Sequence, residues 1–108
     1  MSDDVSALAV AGRPADPGSL EGTWRVERTG GLLPPLRAVE KRISKGRGET
    51  RIAGLPGVRF AVVGLELRYD RPFSGFVDVL LPDGEGGYRG RATFRGREFG
   101  RFVLLRHD

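Results

Sequence analysis

The chain has no cysteine, one histidine, one tryptophan and two lysines in 108 residues. Without cysteine there is no disulfide framework, no thiolate nucleophile and no thiolate metal site, and His107 alone does not make a multi-histidine zinc site. No metal and no cofactor is therefore expected. No apolar run approaches the ~20 residues of a membrane-spanning helix. The opening Met1-Ser2-Asp3-Asp4 is acidic where a secretory signal carries positive charge, so the expectation is a cytoplasmic protein without a membrane span. A chain this short has surface enough to bury one core, hence one domain.

Charge is abundant but dispersed. Lys+Arg number 18 against 14 Asp+Glu, a formal balance of +4, and all of the basic residues except Lys41 and Lys45 are arginine. A phosphate-binding footprint is a stripe of one sign. Here the arginines run from Arg13 to Arg106 and alternate with Glu27, Glu40, Glu49, Glu66, Asp70 and Glu98. That pattern reads as a solvated surface, and nucleic acid is not an expected partner.

What is plentiful is glycine (17) and proline (7). Residues 1–19 hold two prolines, several alanines and acids and no aromatic residue, which predicts a flexible N-terminal arm ahead of a domain over 20–108. From Leu20 onward, short runs of Val, Phe, Tyr, Leu and Arg alternate with Gly or Pro punctuation, the texture of an all-β chain. Gly22 to Thr29 places Trp24 and Val26 on one face and Arg25 and Glu27 on the other. Gly30 to Leu36 is a loop carrying leucines. Over Ala38 to Lys45 the residues Val39, Lys41 and Ile43 share one face of a strand, although Leu36, Val39 and Ile43 also fit helical spacing. Gly46-Arg47-Gly48 predicts a hairpin turn into Glu49 to Ala53, and Gly54-Leu55-Pro56-Gly57 a second turn. Hydrophobic parity switches at Gly64, which predicts a bulge or sharp bend. Phe73 to Leu81 reads as a strand covered on both faces, Pro82 to Gly87 as the strongest turn, and Arg95-Gly96-Arg97 as the last hairpin. Phe99 and Phe102 fall on opposite parities around Gly100, again the mark of a bulge. Seven or eight antiparallel runs joined by tight turns predict an up-and-down sheet closed into one barrel, because closure leaves no strand edge exposed.

Gly22-Thr23-Trp24 on the first strand, with Arg106 near the end of the last, resembles the calycin barrels, the lipocalin and avidin-like superfamily. The resemblance implies that Trp24 plugs the closed end of the barrel and Arg106 packs across it, with Gly22, Trp24 and Arg106 structural. It also implies a lid at the open end, matching Gly30 to Leu36. A fainter similarity, through Gly22, Trp24, Gly31-Leu32-Leu33 and Lys41-Arg42-Ile43, is to bacterial proteins with a Gly-x-Trp-x-Gly motif; here Val26 stands in place of the last glycine.

The first functional expectation is an interior site for an apolar or amphipathic small molecule. It would enter past Leu32, Leu33 and Leu36, be lined by rings from Trp24, Phe60, Tyr69, Phe76, Tyr88 and Phe94, and offer Arg28 to an acidic head group. The same rings, with Phe73, Phe99 and Phe102, equally suit a barrel packed solid. An alternative is an isomerase, cyclase or hydrolase in which Glu66 or Asp78, if inward, has a raised pKa and serves as acid or base. The ordinary reading of both carboxylates is outward, paired with Arg68 or Arg91. A Ser–His mechanism would need His107 beside Ser44 or Ser74, whereas a penultimate residue is ordinarily a frayed one. A third reading uses Arg89, Arg91, Arg95, Arg97 and Arg101 as a surface for nucleic acid or protein, and a homodimer is compatible with any of the three.

Overall fold

The computed structural model describes residues 20–33 and 37–107. They form eight strands in chain order: β1 (Gly22–Gly31), β2 (Val39–Ser44), β3 (Arg47–Ile52), β4 (Arg59–Val63), β5 (Glu66–Tyr69), β6 (Phe76–Pro82), β7 (Tyr88–Phe94) and β8 (Arg97–Arg106). Each pairs antiparallel with the next, and β1 pairs with β8 to close the barrel. Closure leaves no unpaired edge, and the period-2 alternation of the strands then sorts side chains into an inside and an outside. Trp24 and Val26 of β1, Val39, Lys41 and Ile43 of β2, and Phe102 and Leu104 of β8 are all buried. On the outer faces, side chains two apart lie side by side, and Arg25–Glu27, Arg42–Glu40 and Arg68–Glu66 form ion pairs of about 3 Å. Such exposed pairs contribute little each.

The turns are tighter than the glycine spacing implies. The β2–β3 reversal uses Lys45 and Gly46, at φ of 55° and 78°, so Arg47 and Gly48 belong to β3 rather than to the turn. Two successive positive φ values are the geometry of a type I′ hairpin, whose twist matches that of the flanking strands. The parity switch at Gly64 marks two strands rather than one bent strand: Val63 of β4 lies opposite Glu66 of β5 across Gly64-Leu65. The last strand does carry a bulge. Ala92 faces Gly100 and Thr93 faces Glu98, which leaves Phe99 as the extra residue. A second bulge in β1 leaves Thr29 unopposed between Arg28 and Gly30. Over β6 the expected double cover is one-sided: Asp78 and Leu80 are buried, while outward Leu81 is exposed.

The N-terminal end of β1 and the β2–β3, β4–β5 and β6–β7 turns lie at one end of the barrel. The four other connections, including the leucine-bearing β1–β2 loop, lie at the opposite end.

Candidate functional site

At the first end the interior is solid. Leu20 and Trp24 are fully buried, and the indole Nε1 donates to Leu20 O at 2.9 Å, which satisfies the one polar atom of the ring. The Tyr88 ring meets Trp24 edge-on at a centroid distance of 5.4 Å. The Arg106 guanidinium carbon lies 4.1 Å from the indole centroid, and Nη1 donates to Glu21 O at 3.0 Å. A planar cation thus closes this end by stacking on a ring and capping a backbone carbonyl at once. Gly22 is required there on two counts. Its φ is +119°, and a β-carbon on it would lie 2.7 Å from Arg106 Nη1.

Midway along the barrel the interior turns polar. Lys41, in β2, is 3% exposed. Its Nζ donates to Thr50 Oγ1 of β3 at 2.6 Å and to Tyr69 Oη of β5 at 2.7 Å, and lies 3.4 Å from Asp78 Oδ2 of β6. Tyr69 in turn donates to Asp78 Oδ2 at 2.5 Å. Four strands, β2, β3, β5 and β6, therefore each supply one member of the cluster. Phe60, also fully buried, underlies it, with Lys41 Nζ 5.4 Å from the Phe60 centroid. Burial works to lower the pKa of Lys41, but Tyr69 and Asp78 outweigh it and hold the ammonium above its ordinary range. Burial raises the Tyr69 phenol, opposed by Lys41 and assisted by Asp78. The cluster thus holds Lys41 as a cation and Tyr69 as a neutral donor.

Beyond this polar floor the barrel is hollow. A cavity of about 280 Å³ is bounded below by Lys41, Thr50, Tyr69 and Asp78, and around its sides by Val26, Val39, Ala92 and Phe102. Leu33, Val58, Phe73, Phe76 and Phe99 complete it toward the second end. The bulge is what brings Phe99 in beside Phe102 despite their opposite parities. Phe76 joins the rings at the mouth, 4.7 Å from Phe94, 5.9 Å from Phe99 and 6.4 Å from Phe73 between centroids. Leu33 is seated over Gly100, where a β-carbon would lie 2.3 Å from Leu33 Cγ. Among the described residues, five of the seven exposed large hydrophobics, Leu32, Ile52, Leu55, Phe73 and Phe94, belong to this end.

Of the residues singled out in the sequence, Leu33, Tyr69, Phe76 and Asp78 line the cavity. Trp24 and Tyr88 lie in the closed end, and Phe60 lies beneath the polar floor. Phe94 and Leu32 are at the rim, Leu32 being 86% exposed, and Leu36 is outside the described residues. Arg28 is exposed and donates to Gly31 O at 2.9 Å, on the outside of the barrel. Glu66 follows the ordinary reading and pairs outward with Arg68, whereas Asp78 departs from it and points inward. His107 is exposed at the closed end, its amide bonded to Thr23 O, and Ser74 lies at the opposite end. Among the arginines of the β7–β8 face, Arg91 and Arg101 both pair with Glu98.

Lys41 and Thr50 are the residues that residue-by-residue reading missed. The signal was present for Lys41, which shares its strand face with Val39 and Ile43, but a lysine at such a position is ordinarily taken to snorkel. Nothing in Glu49 to Ala53 distinguishes Thr50. Among the described residues no group of three or more His, Cys, Asp or Glu could hold a metal ion. Comparison with protein-family models, with curated proteins and with solved structures finds no match to this chain.

Proposed function

We propose that this chain is a calycin-like barrel that holds a small apolar or amphipathic molecule in its open half. The observation that carries the reading is the cavity of about 280 Å³, apolar on its walls and polar only on its floor. Binding sites for small molecules combine an apolar enclosure with a few placed polar groups, and this volume lies just below the usual range of about 300–1,000 Å³, which suits a small ligand. The Gly22, Trp24 and Arg106 arrangement supports the calycin-like assignment. The exposed apolar rim supports passage of the ligand at the end where the cavity lies.

Native mass spectrometry of freshly purified protein, followed by denaturation and identification of what is released, tests the reading. The expected result is a stoichiometric apolar passenger, or uptake of one from a lipid and aromatic panel, lost when Ala92→Phe fills the cavity. A bare mass after exposure to the whole panel overturns it.

A second reading, acid–base catalysis on the bound molecule, is favoured by the inward carboxylate of Asp78 and its 2.5 Å bond from Tyr69. Recovery of the passenger chemically unchanged after prolonged incubation would count against it.

A further inference from the structure

Resting on the reading of the open half as a binding site, we infer that its ligand is a neutral molecule with a hydroxyl group directed at Asp78 and Thr50. Donors and acceptors on the cavity floor do not balance among themselves. An ammonium has three donors: two of those of Lys41 go to Thr50 and Tyr69, and the third faces Asp78 Oδ2 in an ion pair at 3.4 Å. The Tyr69 proton goes to Asp78 Oδ2. Asp78 therefore meets both its hydrogen-bond donor, Tyr69, and its ion-pair partner, Lys41, on one oxygen. Its other oxygen, Oδ1, has no protein donor among the described residues, although the side chain is only 9% exposed and lines the cavity. Oδ1 is not among the sealed, unpartnered atoms of the described residues, so it opens on the cavity as an acceptor that a ligand donor can reach. Thr50 presents the converse. Its oxygen accepts from Lys41, and the nearest acceptor for its own proton is Tyr69 Oη at 3.5 Å, long for an O–H···O bond. The floor thus offers one unused acceptor and one poorly used donor, and a hydroxyl group meets both.

Charge selects further. Lys41 and Asp78 neutralise each other, so an ammonium ligand bonded to Asp78 would sit near Lys41, and a carboxylate ligand near Thr50 would face Asp78. Both incur a like-charge contact in a poorly solvated site, whereas a neutral head incurs none.

Titration calorimetry with four probes of one chain length tests this: octanol, its methyl ether, octanoate and octylammonium. Octanol is expected to bind ~10-fold or more tighter than the methyl ether, which leaves Asp78 without a donor, and tighter than either ion. In Asp78→Asn, with folding checked by its melting transition, the amide oxygen is expected to turn to Lys41 and Tyr69 and present NH₂ to the cavity. The gap between octanol and methyl ether then narrows and octanoate gains. Equal binding of alcohol and ether by the wild-type protein overturns the hydroxyl assignment and leaves the binding reading standing. Failure of all four probes overturns both. The wild-type series decides the matter even if the variant does not fold.

Discussion

The two halves of this barrel are built from the same strands and differ in what the inward positions carry. Toward the closed end they carry Trp24, Ile43, Phe60, Tyr88 and Leu104, which meet across the axis and fill it. Toward the open end they carry Val26, Val39, Ala92 and Thr50, too small to meet, and the large rings of Phe73, Phe76 and Phe99 gather at the mouth instead. An eight-stranded barrel has room for either outcome, so the volume of a few side chains decides whether it is a plug or a container. The Lys41 cluster marks the boundary, and it satisfies the closed half fully while leaving an acceptor toward the open one.

Four substitutions or conditions separate the halves. Removing the plug should have the largest effect: Trp24→Ala is expected to cost about 3–5 kcal/mol by denaturant unfolding, because the packed end has no means of collapsing around the hole. A variant that melts near wild type would dissolve the distinction between the halves. At the boundary, Asp78→Ala strands the Lys41 cation and is expected to cost about 3–5 kcal/mol, whereas the joint replacement Lys41→Met with Asp78→Leu should recover most of that loss. Equal losses in the single and joint variants would show that the pair matters only for its packing.

Alkaline unfolding addresses the same boundary. Lys41 and Tyr69 both have pKa values raised in the folded state above ordinary values of 10.5 and 10.0. The folded protein therefore holds these protons more tightly than the unfolded chain does, and the contribution is present below pH ~10 and lost as pH rises through the folded values. Melting temperatures from pH 8 to 11 should fall more steeply for the wild type than for the double variant Lys41→Met with Tyr69→Phe. Parallel curves would argue that the cluster does not couple to stability. The smallest effect on the fold belongs to the mouth. Leu33→Asp is expected to cost about 1 kcal/mol or less yet weaken uptake of an apolar probe, and unchanged affinity would remove the β1–β2 loop from the account.

How much of this was legible in the sequence also divides between the halves. The closed end was approached through a resemblance carried by Gly22, Trp24 and Arg106, and in the structure Arg106 stacks on Trp24 and bonds Glu21 O there. The barrel itself followed from turn spacing and alternation, with errors at Arg47 and Gly64, where a two-residue turn needs less chain than the glycines suggest, and on the outer face of β6, where Leu81 is exposed. The open half was not readable in the same way. A hollow is made by small residues such as Val39 and Ala92, which look the same in a packed core, and its polar floor joins Lys41, Thr50, Tyr69 and Asp78 from four strands. Only the register of the closed sheet shows that these meet. Glu66 and Asp78 are both carboxylates between apolar neighbours, and one residue of strand parity sends the first to solvent and the second to the core.

The most direct test of a container stacked on a plug is a map of backbone amide shifts as octanol is added to the ¹⁵N-labelled protein. The account predicts saturable changes clustered on Val39, Thr50, Tyr69, Phe76, Asp78 and Phe99, with Trp24, Tyr88 and Leu104 silent. Changes that never saturate, or that fall on the outer face of β6 to β8 while the cavity residues stay still, would contradict it.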